Sequence, residues 1–171
     1  MSVEDDTRVP LDAVDLRILS LLTRDARMSR RQIARETGMS TPAITNRIER
    51  LEREGVIVGW GVQIDRSKLG YPLLAYIETT SVQGANQLEL VAALRLLPEV
   101  EAVHPVTGAT DLMIRVRVRD IEHLRRCIYD AIQPIGGIVR TDTLISLQEM
   151  EPKAFDRELV DRLLESHERP T

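Results

Sequence analysis

Cysteine is all but missing from these 171 residues: Cys127 stands alone, so no disulfide closes within the chain and no cysteine-based metal cluster assembles from it. Its helical position suggests packing rather than chemistry. Aromatic side chains make up only 3% of the sequence, and histidine occurs three times, at His104, His123 and His167. That leaves neither a broad stacking surface nor the paired basic groups that catalysis on a large flat substrate needs. No apolar run is long enough to cross a bilayer. The N-terminus, with Glu4, Asp5 and Asp6, lacks the basic and apolar regions of a signal peptide, which implies a cytoplasmic protein without a membrane partner. Internal repeats and low-complexity tracts are absent too. What remains is a 43% hydrophobic content, enough for one or two compact domains, with no metal site, cofactor or catalytic residue indicated.

Against this background the stretch from Asp12 to Ile57 is rich in signals. Asp12 is placed as the N-cap of a first helix, with Asp15 in its first turn and Ile18, Leu19 and Leu22 at helical spacing. A second helix opens at Ser29, where Gln32 stands three residues on as a capping box requires. Ile33 and Ala34 give it an apolar face, and Gly38 is suited to the left-handed conformation that ends it. A third helix comes next, with Thr41 expected as N-cap and Pro42 at the first helical position, running to Gly55. Three short helices with this punctuation predict a helix-turn-helix, a motif that places one helix in the DNA major groove.

Helical stepping puts Ile44, Ile48 and Leu51 on one side of the third helix and Asn46, Glu49, Arg50 and Arg53 on the other. Asparagine suits a bidentate contact to adenine and arginine one to guanine, while Ser40, Thr41 and Thr45 lie near the end that meets bases or phosphates. Arg30, Arg31, Arg35 and Arg47 are placed to hold the DNA backbone. Glu49, Glu52 and Arg53 also fit a solvated face with weak ion pairs. The net charge of −4 hides a basic stretch from Arg24 to Arg53, +4 by itself, joined to a remainder of −8. Tight binding is therefore expected only when two or more such motifs engage together.

After Gly55 the pattern turns extended over Val56 to Ile64, with Trp60 expected as a packing residue between the DNA-binding unit and the C-terminal unit. Leu73 to Ser81 alternates as a strand, and Asn86 to Leu97 carries Leu88, Val91 and Leu94 as a helix. Val100 to Thr107 resumes β character, and Gly108 to Asp111 supplies a turn. Leu112 to Val118 then alternates apolar residues against Met113, Arg115 and Arg117. Asp120 caps another helix with Ile121, Leu124, Ile128, Ala131 and Ile132. It stops near Pro134 and Gly136, and a last strand runs from Ile138 to Gln148. The order βαββαβ makes a ferredoxin-like sheet with two helices on one face. The other face, with Met113, Arg115 and Arg117, suits a subunit interface, so a two-fold dimer is expected. A final helix from Pro152 to about His167 presents Phe155, Leu159 and Leu163, with Val160 nearby, as a stripe expected to dock on the body.

The expected fold class is α+β, with a winged-type helix-turn-helix domain joined by a β linker to a ferredoxin-like βαββαβ domain. The expected divisions are 1–57 for DNA binding, 58–72 for the linker, 73–151 for effector binding and assembly, and 152–171 for the C-terminal helix and tail.

The segment LDAVDLRILSLLTRDARMSRRQIARETGMSTPAITNRIERLEREGVIVGW, the later IDRSKLGY and the βαββαβ unit with GATD in its hairpin resemble the Lrp/AsnC (feast/famine) family of prokaryotic transcription regulators. The likeness covers nearly the whole chain, the tail beyond Pro152 being longer than in the family's shortest members. It implies a sequence-specific transcription regulator that forms dimers and commonly octamers, binds a palindromic operator in double-stranded DNA and responds to a small effector, often an amino acid. It also implies that the turn Gly108, Ala109, Thr110 and Asp111 lines an effector site between dimers, where backbone N–H groups receive a carboxylate and Asp111 an ammonium group. From the residues alone, the same turn reads equally as a hairpin in which Asp111 bonds to local amides. A tetrapyrrole (sirohaem-type) decarboxylase group resembles these regulators in both halves. The scarcity of aromatics and histidines disfavours that alternative, with His104 the residue to watch.

Overall fold

The computed structural model describes residues 8–150 and 153–168, so the acidic N-terminal residues 4–6 and the expected helix start at Pro152 lie outside it. The described residues fold as two units: one takes residues 8–62 and 153–168, the other residues 63–150.

In the first unit, α1 (Ala13–Arg24), α2 (Arg30–Thr37) and α3 (Thr41–Arg53) enclose a small apolar core. Two reciprocal capping boxes start the first two helices: Asp12 with Asp15, and Ser29 with Gln32. Gly38 ends α2 at φ 69°, a left-handed conformation that costs glycine little. The third helix starts one residue earlier than the sequence suggests. Ser40, not Thr41, is its N-cap, because Ser40 holds extended backbone and its Oγ accepts from Ala43 N at 3.3 Å. Pro42 still falls where a missing N–H costs nothing. Ile18, Ile33, Ile44, Ile48 and Leu51 are completely buried. At roughly 1.5–3 kcal/mol each, these five side chains are the main force joining the three helices.

A fourth helix, numbered α6 as the last in chain order (Phe155–Glu168), also belongs to this unit and packs against α1. Its docked face is not the expected one. Val160 joins the core, Leu164 is buried, and Asp161 receives the Ser20 hydroxyl at 2.6 Å and the Arg24 guanidinium at 3.2 Å. Ser20 is itself 99% buried, so its hydroxyl needs a partner, and Asp161 meets that need. This pairing turns Phe155, Leu159 and Leu163 outward, at 57%, 40% and 46% exposure.

Val56 and Ile57 pack under the three-helix core, but residues 58–66 form no strand. A lone extended segment has no neighbour to take its backbone hydrogen bonds, and Val58, Trp60, Val62 and Ile64 are exposed in the single chain. Trp60 donates from Nε1 to Glu52 Oε1 at 2.5 Å, so it lies on α3, where it is half-exposed.

The second unit comprises β1 (Leu73–Ser81), α4 (Gln87–Leu94), β2 (Val100–Pro105), β3 (Leu112–Val118), α5 (Ile121–Arg126) with a π-helical continuation (Cys127–Ile132), and β4 (Ile138–Ile145). The sheet order is β2-β3-β1-β4, all antiparallel, which is the ferredoxin-like arrangement. Ala75 stands opposite Val116 and Ile77 opposite Ile114, and this face packs against Leu90, Leu94, Leu124, Cys127 and Ile132 of the helices. Two helix faces differ from the spacing argument. Leu88 is 81% exposed and Leu90 replaces it in the core, because Asn86 caps α4 so that the Leu90/Leu94 pair meets the sheet; Ile121, at the first turn of α5, also faces outward. On the open face, Arg117 is 7% exposed between Glu101 at 3.1 Å and Glu149 at 2.8 Å, and Arg115 reaches the same two acids.

Candidate DNA interface and effector turn

The apolar side of α3 fixes what its remaining surface offers. Asn46, Glu49 and Arg53 are exposed, as is Thr41, and Arg30 and Arg31 stand exposed on α2 with no ion pair among the described residues. Ser40 spends its oxygen on the cap, and the half-buried Thr45 donates its hydroxyl to Thr41 O at 3.0 Å. The Thr45 hydroxyl proton is therefore committed within the helix, whereas Ser40 is committed as an acceptor and keeps its hydroxyl proton to donate.

Arg47 and Arg50 are placed differently from the rest. Arg47 Nη1 lies 2.7 Å from both Asp12 Oδ2 and Asp15 Oδ1, and Arg50 pairs with Asp15 Oδ2 and with Glu54 at 3.3 Å. Arg50, expected on the outward side, thus turns its guanidinium to the N-terminus of α1, and Arg47 does the same instead of standing free for a phosphate. Asp15 is 1% exposed. A buried carboxylate requires compensation, and these guanidiniums sit where they supply it. Hydrogen bonds that Arg47 donates to Asp12 and Asp15 raise its pKa, and the bond to Asp15 raises that of Arg50. Burial pushes the Asp12 carboxyl up, but the Asp15 N–H and Arg47 outweigh it and hold Asp12 below the usual carboxylate range. Asp12, Asp15, Asn46, Arg47, Arg50 and His167 line an open depression of about 630 Å³. Sequence reasoning took the two aspartates only as helix-capping charges. The remaining signal was that a capping acid beside a basic reading helix has a second partner within reach.

The turn after β2 has a different character. Gly108 adopts φ 134°, which favours glycine, and the N–H groups of Gly108, Ala109 and Thr110 donate to no acceptor among the described residues. Gly108 and Ala109 are exposed, while Thr110 and Asp111 are half-buried. Asp111 does not bond to the turn's own amides. Its Oδ2 accepts from Ser81 N at 2.7 Å, and its N–H donates to Thr79 O at 2.9 Å, so it stitches the end of β1 to the turn. Gln87 Nε2 reaches Asp111 O at 3.2 Å. Beside these bonds, Thr79 Oγ1 and Ser81 Oγ are buried without a partner among the described residues. Sequence reasoning missed Thr79, Ser81 and Gln87, because strand alternation gives no sign of which hydroxyls go unpaired.

Residues 11–58 match the winged helix-turn-helix DNA-binding family and residues 74–154 the Lrp/AsnC ligand binding domain. An HTH-type transcriptional regulator of Pyrococcus abyssi is 38% identical over 143 residues, covering 84% of this chain and 90% of that protein. The leucine-responsive regulatory protein of Haemophilus influenzae is 31% identical over 147 residues, covering 85% and 89%. Among solved structures, Escherichia coli AsnC superposes with a TM-score of 0.79 at 29% identity, over 85% of this chain and 99% of that one. A transcriptional regulator from Neisseria meningitidis, solved as a complex with L-Met, shares the fold at TM-score 0.77 and 21% identity, over 84% and 94%. These relatives are regulators, and the decarboxylase-like alternative gives way to that reading. With a DNA-binding helix-turn-helix in front and a ligand-binding domain behind, the chain belongs to the Lrp/AsnC family of transcription regulators.

Proposed function

We propose that the protein is a homodimer at least, and in larger form an octamer, that reads a palindromic operator with α3 in the major groove and responds to a free amino acid. Residues 1–57 carry the DNA-binding part, and 58–72 act as the hinge. Asn46 is the base-reading side chain, since it is exposed and uncommitted on the outward side of α3. Arg30 and Arg31 hold phosphates, helped by Thr41 and the N-terminus of α3, while Ser40, Thr45, Arg47 and Arg50 shape the reading helix from within. The observation that carries this reading is the exposed Asn46 on α3, together with the exposed Arg30 and Arg31 on α2, which have no ion pair among the described residues. The open sheet face with Met113, Arg115 and Arg117 serves subunit contact, and the two-fold axis sets two reading helices one or more helical turns apart.

For the effector, the free N–H groups of Gly108, Ala109 and Thr110 suit a carboxylate, and the second oxygen of Asp111 suits an ammonium group. The amino acid present in the Neisseria regulator's complex favours that class of ligand. For DNA the test is Asn46→Ala, expected to weaken operator binding by about 1–3 kcal/mol while non-specific binding stays constant. Arg30→Ala is expected to weaken both alike and flatten the salt dependence. An Asn46→Ala protein that is folded by circular dichroism and binds operator like wild type removes α3 from the reading role.

A further inference from the structure

We propose that Asp15 is the positioning residue of the DNA-reading helix: its buried carboxylate anchors Arg47 and Arg50 of α3 and so sets sequence discrimination without touching DNA. This rests on the reading of α3 as the helix in the groove.

Ile18 of α1 and Ile44, Ile48 and Leu51 of α3 share one apolar core. Such contacts are non-directional, and a small rotation of α3 about its axis keeps most of them. The ion pairs are directional. Arg47 and Arg50 are three residues apart on one turn of α3, and each takes a different oxygen of one carboxylate. Asp15 Oδ2 also accepts from Asp12 N at 3.1 Å, which ties that carboxylate into the first turn of α1. A rotation or slide of α3 therefore breaks at least one charge-assisted bond to a carboxylate that is 1% exposed beneath these arginines. Asn46 is adjacent in sequence to Arg47, so the orientation fixed at Arg47 is passed directly to the proposed base contact.

The sign of the effect separates positioning from simple charge. An aspartate near a DNA surface repels phosphate, so removing its charge strengthens binding to every sequence if charge is all that matters. Under the positioning role, removing that charge strengthens non-specific binding but weakens operator binding. Arg47 retains Asp12 and Arg50 retains Glu54 at 3.3 Å, but the two guanidiniums together lose one counter-charge, which a phosphate can then supply.

The test uses Asp15→Asn in the full chain, since asparagine keeps an acceptor for Asp12 N. Operator is a duplex selected from random DNA by the wild-type protein, and the non-specific probe is a scrambled duplex of equal length. The operator-to-scrambled affinity ratio is expected to fall by roughly tenfold or more. The non-specific salt slope is expected to steepen by about one unit as the arginine pair loses that counter-charge. Operator binding equal to or tighter than wild type overturns the proposal. Asn46→Ala in the same assay separates the two levels. Lost discrimination in Asn46→Ala with full discrimination in Asp15→Asn overturns the anchor alone, whereas full discrimination in both overturns the reading of α3 as well. If Asp15→Asn loses its helical signal, Arg50→Lys takes its place, keeping the charge but losing the fork; an unchanged ratio there also overturns the proposal.

Discussion

Asp111 is proposed to meet an effector's ammonium group, yet the structure also commits it to Ser81 N at 2.7 Å. Asp111→Ala is therefore a poor test of binding by itself. It removes a charge-assisted hydrogen bond and leaves a part-buried N–H without an acceptor, which costs about 2 kcal/mol. Asp111→Asn keeps an acceptor oxygen at the same place and loses only the charge assistance, about half that amount. With a urea slope on the order of 1–2 kcal/mol per molar, the alanine variant's midpoint falls by about 1–2 M and the asparagine variant's by about half as much. Urea titration followed by far-UV circular dichroism measures both. An alanine variant as stable as wild type refutes the view that Asp111 fastens β1 to the turn. A thermal-shift screen of the twenty amino acids on wild type and Asp111→Asn then isolates the ligand contact. The wild type is expected to gain melting temperature with at least one amino acid and the asparagine variant to lose that response. An equal response in both removes Asp111 from the effector site.

Docking of α6 is expected to weaken in acid. The Ser20 hydroxyl, then the Arg24 and Arg157 charges, hold the Asp161 carboxyl below the usual carboxylate range despite the opposing push of burial. A depressed pKa contributes stability that is complete above the unfolded value near about pH 4 and is lost as pH falls through the folded value, so Asp161→Asn flattens the loss of stability below about pH 4. Urea midpoints at pH 5 and pH 3 measure this, and identical losses in variant and wild type speak against the pairing. Burial, followed by the nearby Glu99 charge, pushes the Cys127 thiol up to about 11. At pH 8 only on the order of one molecule in a thousand carries the thiolate, so a disulfide reagent is expected to react slowly with the native protein and at once in denaturant. Equally fast reaction in both states contradicts the burial of Cys127.

Local signals were legible in the sequence, and partner choice over distance was not. The caps at Asp12 and Ser29, the left-handed Gly38 and the alternation of Leu112 to Val118 each depend on residues within one turn or one strand, and the structure shows them as expected. The phase of α4 and α6 was harder, because each carries more apolar residues than one face buries. Leu88 against Leu90, and Leu159 against Val160, differ by only one or two positions. A polar partner elsewhere in the chain decided the second case: Ser20, 141 residues before Asp161, selected the docked face. The extended connector over 58–66 shows a third reason, since β-pattern becomes a strand only when a neighbouring strand accepts its hydrogen bonds.

The charge arithmetic of the DNA-binding part changes for the same reason. Eight arginines lie between Arg24 and Arg53, but Arg24 is paired to Asp161 and both Arg47 and Arg50 to Asp15, acids outside that stretch. Arg27, Arg30, Arg31, Arg35 and Arg53 remain without an ion pair among the described residues, alongside the acids Asp25, Glu36, Glu49 and Glu52. The phosphate-facing surface of one copy is thus weaker than its composition suggests. Each phosphate contact contributes about one unit of salt slope, and one such surface offers few. In the proposed dimer, two copies on one operator multiply rather than add their affinities, so discrimination comes from having both reading helices correctly held at once. A modest basic surface then suits the protein, because a single copy gripping DNA strongly would occupy non-specific sites. An internal anchor such as Asp15 both restrains that grip, by sequestering two arginines, and directs the helix that remains.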